Sequence, residues 1–212
     1  MPDQHAAKAD GSYPICSLYL DDAVNTLYRE TVEGRANRFK LRIRSYGDRT
    51  DLPVFLEVKR RQNRIVQKLR CPVPRQALPG LLRGDTTVLP ELPPHHRQPL
   101  EEFVRLQQMQ RAFPKLLVRY RRQAFVGRDE PTVRVTFDRE MAASVEAESL
   151  VRHSGRFESL PLPGVIVEIK FTDQCPTWLT NSVRACELRR RSFSKYCRSA
   201  EALTDVGHAA MR

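Results

Sequence analysis

No glycine-rich phosphate loop occurs in this sequence: neither GxxxxGKS/T nor GxGxxG is present. Phosphate binding by backbone amides at a helix N-terminus is therefore excluded, and any phosphate must be held by side chains. The strand–helix–strand alternation of a parallel nucleotide-binding sheet is missing as well. The five cysteines (Cys16, Cys71, Cys175, Cys186 and Cys197) contain no CxxC pair, which removes zinc ribbons and dithiol redox centres. No apolar run approaches the length that spans a bilayer. The histidines do not cluster: His5 and His208 lie near the termini, His153 is isolated, and His95 and His96 sit among prolines. No Ser-His-Asp or Cys-His arrangement stands out, and no internal repeat is visible. An odd number of scattered cysteines without a secretory leader fits reduced thiols in a cytoplasm. Work at a membrane would then require recruitment by another protein.

What the sequence does have is positive charge. Its 212 residues carry a formal net charge of +11, with a pI of about 9.9. That balance favours an anionic partner without specifying a fold, and the length suffices for one domain with a sizeable core.

The charge is patterned. In RFKLRIRSY, Phe39, Leu41 and Ile43 alternate with Arg38, Lys40, Arg42 and Arg44, which is the period of a half-buried strand with one cationic face. VFLEVKRR alternates as well, with Val54, Leu56 and Val58 against Phe55, Glu57, Lys59 and Arg61. Asn63 to Cys71 places Lys68 and Arg70 opposite Ile65 and Leu69. Further strands are expected at Ile15–Leu20, Lys115–Val126, Thr132–Asp138 and Val165–Phe171. Helices are expected at Ala23–Glu33, at Leu100–Phe113 through Leu100, Phe103, Leu106 and Met109, at Thr177–Leu188 and near Ser199–Ala209. The stretch Pro72–Pro99 holds seven prolines and reads as a connector. Ser144–Glu158 is ambiguous, and residues 1–12 show no periodicity and are expected to be a disordered or partial start. Hairpin-length gaps between strands predict an α+β domain over residues 13–212: an antiparallel β-barrel with flanking helices.

Cations at alternate positions lie roughly 7 Å apart along a strand and repel one another unless water or an anion relieves them. They either coat a solvated outer face or line a lumen, where arginine forks and lysine point charges grip phosphoryl oxygens. Glu57 and Glu168 each stand two residues before a lysine, Lys59 and Lys170, on the same strand face. Each is either an internal ion-pair partner or a ligand for Mg²⁺ or Mn²⁺ shared with substrate phosphates. Asp138, at the end of VRVTFD, is a third carboxylate, or a turn former. The apolar residues between the cations lie on the opposite face and give no stacking platform, so nucleic acid is not the expected partner.

The ordered run YPICSLYLDD, RFKLRIRSYG, VFLEVKRR, YRRQAF, VRVTFD, VIVEIKF and FSKYC resembles the VTC domain of the triphosphate tunnel metalloenzymes, from about Tyr13 to Cys197. The resemblance implies a tunnel barrel and an ATP-dependent polyphosphate polymerase assisted by Mn²⁺ or Mg²⁺, with ATP and inorganic polyphosphate as partners; the alternatives are a non-catalytic polyphosphate- or nucleotide-binding tunnel domain and a tunnel triphosphatase. It implies phosphate-gripping roles for Lys40, Arg42, Arg44, Lys59, Arg122 and Lys195, and a metal-binding role for Glu168. Lys68, Arg70, Arg134 and Lys170 are expected as further substrate-binding residues from strand alternation. The family's first tunnel strand, with an acidic residue and a lysine, precedes the SLYLDD motif and is expected to be missing from this chain.

Overall fold

The computed structural model describes residues 10–47, 49, 51–87, 92–145, 155–162 and 164–210. Eight strands form one antiparallel sheet in the order β4-β3-β2-β1-β5-β6, with β7 and β8 both pairing with β6. The strands are β1 (Ser12–Asp21), β2 (Asn37–Tyr46), β3 (Val54–Gln62), β4 (Ile65–Val73), β5 (Phe113–Val126), β6 (Arg134–Ser144), β7 (Glu158–Ser159) and β8 (Ile166–Lys170). The five helices are α1 (Thr26–Val32), α2 (Leu78–Leu82), α3 (Pro94–Gln110), α4 (Thr177–Ala185) and α5 (Lys195–Ala210). The domain is therefore α+β. Among the described residues the sheet does not close: β4 and β8, at opposite ends of the order, are not paired. It curls enough to bring Lys170 and Glu168 of β8 within electrostatic reach of Lys68 of β4.

Alternation gives each strand two distinct faces. On the outer face Leu18, Leu20, Leu41, Ile43, Leu56 and Val58 join Leu78, Leu81, Leu100 and Phe103 in one core cluster, so α2 and α3 cover β1 to β4. On the inner face Tyr13, Ile15, Tyr19, Val118, Tyr120 and Met141 form a second cluster with Tyr196 and Cys197 of α5. The central strand β1 is buried on both sides, which explains its run of apolar residues on both faces.

The proline-rich stretch is more structured than a connector. It finishes β4, makes a 3₁₀ turn at Arg75–Ala77, forms α2 and opens α3 at Pro94. Proline is tolerated in a first helical turn, where its missing N–H has no intrahelical acceptor. Helix α3 buries Leu100, Phe103, Val104 and Leu106, whereas Met109 is 60% exposed. The stripe drifts past Met109 because 3.6 residues make a turn, not three. Residues 146–154 of the ambiguous stretch lie outside the described residues; on its flanks β6 runs on to Ser144 and β7 occupies Glu158–Ser159. Helix α5 begins at Lys195, four residues earlier than the periodicity suggests.

The LDD motif is structural. Asp21 accepts the backbone N–H of Leu27 and Tyr28, each at 2.9 Å, and Asp22 accepts that of Thr26 at 2.9 Å, which satisfies the first turn of α1. The Tyr196 hydroxyl also donates to Asp21, at 2.8 Å, and ties α5 to the end of β1. Among the described residues no helix is long and apolar enough to cross a membrane.

Candidate functional site

Strand register assembles the charged residues. Direct cross-strand partners share a face, and the pairs Arg42–Glu57, Lys40–Lys59, Arg38–Arg61, Glu57–Arg70 and Lys59–Lys68 run across β2, β3 and β4. On the other wall Arg122 opposes Asp138, Thr136 opposes Glu168, and Arg134 opposes Lys170. Ser17 of β1 sits opposite both Arg44 and Val118 and links the two walls on the same face. Every cation proposed from the sequence therefore lies on the inner face, including Lys195, which enters from α5 to reach Asp138 at 2.7 Å. Set among these cations on the described part of that face are the carboxylates of Glu57, Asp138 and Glu168.

Glu57 is saturated. Its carboxylate is 2.5 Å from Arg42, 3.6 Å from Arg70 and 3.9 Å from Arg44, and its side chain is 12% exposed. Burial would raise its pKa, but Arg42, Arg44 and Arg70 hold it below the usual carboxylate range. Arg44 also donates to the Ser17 hydroxyl at 3.1 Å. Arg70 stacks 3.7 Å above the Phe55 ring, which fixes its guanidinium plane.

Asp138 is neither a strand-end turn former nor open to a metal. It lies inside β6 with its side chain fully buried, accepts a bidentate pair from Arg122 at 2.6 and 2.7 Å, and accepts Lys195. Its function is to fix a β5 arginine and an α5 lysine in one place.

Glu168 differs. Its side chain is 42% exposed, 3.2 Å from Lys170 and 3.6 Å from Arg122. Burial pushes its pKa up, but Lys170, Arg122 and Lys195 pull it down to about 2, so it is ionised at neutral pH. Among the described residues no three His, Cys, Asp or Glu side chains converge as a metal cage. One ionised, accessible carboxylate suits a hard divalent cation whose remaining ligands are water and phosphate oxygens.

The lysines carry the clearest electrostatic signal. Lys40, Lys59 and Lys68 all have pKa values lowered first by burial; Lys40 and Arg42 add to this at Lys59, and Lys170 and Lys59 at Lys68. Two inner-face hydroxyls, Tyr120 Oη and Thr136 Oγ1, are buried with no hydrogen-bond partner. Crowded cations and unsatisfied hydroxyls on one concave face together describe a site complementary to a polyanion rich in acceptor oxygens.

The VTC domain profile matches residues 1–204. The chain belongs to the VTC domain family. A search of curated proteins returns no match. Among solved structures, the PH1819 protein of Pyrococcus horikoshii OT3 aligns with 91% of this chain and 84% of its own at 12% identity and a TM-score of 0.40, too slight a likeness to carry an argument.

In this VTC domain the sequence motifs place the cations but not what holds them. Ser17 and Ser194 escape a search for charge. Yet Ser194 accepts Lys40 at 2.8 Å and also the backbone N–H of Cys197 at 3.3 Å, so it caps α5 and aims Lys40 together. The readable signal is a serine directly before the first residue of α5 and three residues before Cys197, the spacing of a helix N-cap to N3. Tyr19 falls within the strand expected at Ile15–Leu20, and nothing in the sequence marks it as a site residue. It stacks on Tyr196 at 5.0 Å, and although burial opposes it, Arg42 and Arg44 hold its phenol below the ordinary value.

Proposed function

We propose that this VTC domain is an ATP-dependent inorganic polyphosphate polymerase. The observation that supports it best is the excess of inner-face cations over carboxylates, with Lys40, Lys59 and Lys68 left in a state that an anion would relieve. Phosphoryl transfer needs positioning and neutralisation of charge more than covalent help, and this lumen offers both. Arg42, Arg44 and Arg122, held by Glu57 and Asp138, grip ATP phosphates. Lys59, Lys68, Arg70, Arg134 and Lys170 hold the growing chain, and Lys40 and Lys195 complete the cradle. A terminal oxygen of polyphosphate attacks the γ-phosphorus of ATP, and the bond to the β–γ bridging oxygen breaks with its electron pair leaving on ADP. Polyphosphate is lengthened by one unit, and no water is consumed. Glu168 would hold Mn²⁺ or Mg²⁺ jointly with phosphate oxygens, and that ion would supply charge neutralisation at the transferring group. Free thiols at Cys16, Cys71 and Cys197, all buried, fit a reducing cytoplasm.

The test is incubation of purified protein with ATP and Mn²⁺, followed by a polyphosphate gel and ADP quantification. A ladder of polymer with ADP in proportion is expected. Release of orthophosphate without polymer would point to a triphosphatase. Tight tripolyphosphate binding without turnover would point to a binding domain.

A further inference from the structure

One mouth of the tunnel opens into a cavity of about 280 Å³ bordered by Arg38, Lys40, Lys59 and Arg61 on the strands and by Phe193 and Ser194 ahead of α5. The segment entering that mouth, Glu187–Ser194, belongs to no helix or strand and carries three consecutive arginines, Arg189, Arg190 and Arg191, all exposed. Both ends of the segment are fixed. At one end the backbone N–H groups of Glu187 and Leu188 donate to the carbonyls of Arg184 and Val183 at 2.9 and 3.0 Å. At the other, Ser194 holds Lys40 at 2.8 Å. Arg191 is thus three residues from a tunnel contact, within about 10 Å of chain. Among the described residues no carboxylate pairs with any of the three, while Glu201 at the same mouth is already engaged by Arg198 at 3.0 Å.

We propose that Arg189–Arg191 form an external polyphosphate subsite, continuous with the tunnel mouth, that takes the part of a long chain extending beyond the lumen. The inference rests on the tunnel reading above and adds a second binding region that short phosphates do not reach. Three guanidinium groups with no carboxylate partner, on the segment whose next residues, Ser192 to Ser194, line the cavity together with Arg38 and Arg61, raise the potential at that mouth. A linear polyanion leaving the lumen neutralises that potential at every successive phosphate, and the arginine fork fits its paired oxygens. A non-specific basic loop would weaken for any long polyanion alike when its arginines are removed, whereas a subsite continuous with the lumen adds affinity only for phosphate chains long enough to leave it.

The experiment compares Arg189→Ala/Arg190→Ala/Arg191→Ala with the unmodified chain. Affinity is titrated for tripolyphosphate, for polyphosphate of about a hundred units and for a single-stranded oligonucleotide, at two salt concentrations. The expected result is about a tenfold weaker affinity for the long chain, with a shallower salt dependence. Tripolyphosphate affinity should stay within about twofold. Equal loss for both phosphates, or no loss for either, overturns the subsite. A comparable loss of oligonucleotide binding shows a non-specific basic surface and overturns it too. If the unmodified protein fails to bind tripolyphosphate, the tunnel reading itself fails, an outcome separate from all of these.

Discussion

The two walls of the curled sheet manage the same charge in different ways. On the β2–β3–β4 wall one carboxylate, Glu57, is shared among three arginines, two of them partly open to solvent: Arg42 is 23% exposed and Arg70 44%. On the β5–β6–β8 wall the work is divided. Asp138 is fully buried and binds Arg122 and Lys195, while Glu168 stands 42% exposed and loosely paired. The outer faces differ in step with this: helices cover the first wall, whereas Phe125, Val165 and Phe171 on the second remain exposed. The difference teaches that the carboxylates are not interchangeable. Burial and partner number separate a positioning group from one with coordination capacity to spare.

The largest effect is expected at Asp138. Asp138→Ala leaves Arg122, 7% exposed, and Lys195, 13% exposed, without their shared buried counter-ion, with only the half-exposed Glu168 at 3.6 Å from Arg122. Removing one member of such a buried pair costs about 3–5 kcal/mol, a fall in Tm on the order of 10 °C for a domain of this size. Glu57→Ala should cost less, because water reaches Arg42 and Arg70. Thermal unfolding of both variants checks the order. An equal or larger loss at Glu57 would erase the distinction between the walls.

Next in size is Glu168→Gln. A half-exposed ion pair contributes at most about 1 kcal/mol, so Tm should hardly move. Mn²⁺-dependent transfer should fall by roughly two orders of magnitude, with tripolyphosphate affinity in chelator equal or higher because a repelling charge is gone. A destabilised variant with normal metal dependence would make Glu168 an ion-pair partner only. The acid limb belongs here too. Glu168 has its folded pKa depressed to about 2, so its stabilisation is present above the ordinary carboxylate range and is lost as pH falls toward 2.

A subtler effect follows from the lysines. Lys40, Lys59 and Lys68 have folded pKa values below the ordinary 10.5. Between the two values the unfolded chain binds more protons, so stability of the ligand-free protein should rise with pH through that window. A bound polyanion restores the charged form. Tripolyphosphate binding within that window should therefore take up protons, visible as a calorimetric enthalpy that varies with the ionisation heat of the buffer. Buffer-independent enthalpy would mean the lysines are not in the binding site.

The β2 and β3 strands were legible in the sequence because one face had to be apolar for the α2–α3 core and the other was charged, so period two stood out. β1 was harder, since burial on both faces erases alternation. The proline-rich stretch misled because proline marks helix starts as well as loops. For the site, motif order named the cations, but no pattern in sequence reveals that Asp138 is a shared counter-ion. That depends on α5 returning from 57 residues later to deliver Lys195. The far end of β6 was missed because its phase changes midway.

That change of phase sets the smallest prediction. Between Arg119–Ala142 and Arg121–Arg139 the β5–β6 register slips, so Glu140 and Met141 together oppose Tyr120. Glu140 takes a left-handed φ of 53°, and its side chain is 64% exposed, 3.7 Å from Arg121. The extra residue moves the inner-face series from Arg134, Thr136 and Asp138 to Met141 and Ala143, so one strand presents charge to the tunnel and then apolar side chains to the α5-facing core. A side chain with a Cβ in that conformation costs about 1 kcal/mol, which glycine avoids. Against this, glycine loosens the unfolded chain and forfeits a weak exposed ion pair. Glu140→Gly should therefore match or exceed the original stability by less than about 1 kcal/mol. Glu140→Val, β-branched and poorly suited to positive φ, should fall below it by about 1–2 kcal/mol. Denaturant titration of the two variants reads the difference directly, and tripolyphosphate affinity should be equal in both because Asp138 keeps its face. If valine proves as stable as glycine, the left-handed turn does not hold the bulge, and the phase change must be imposed by packing of Met141 alone.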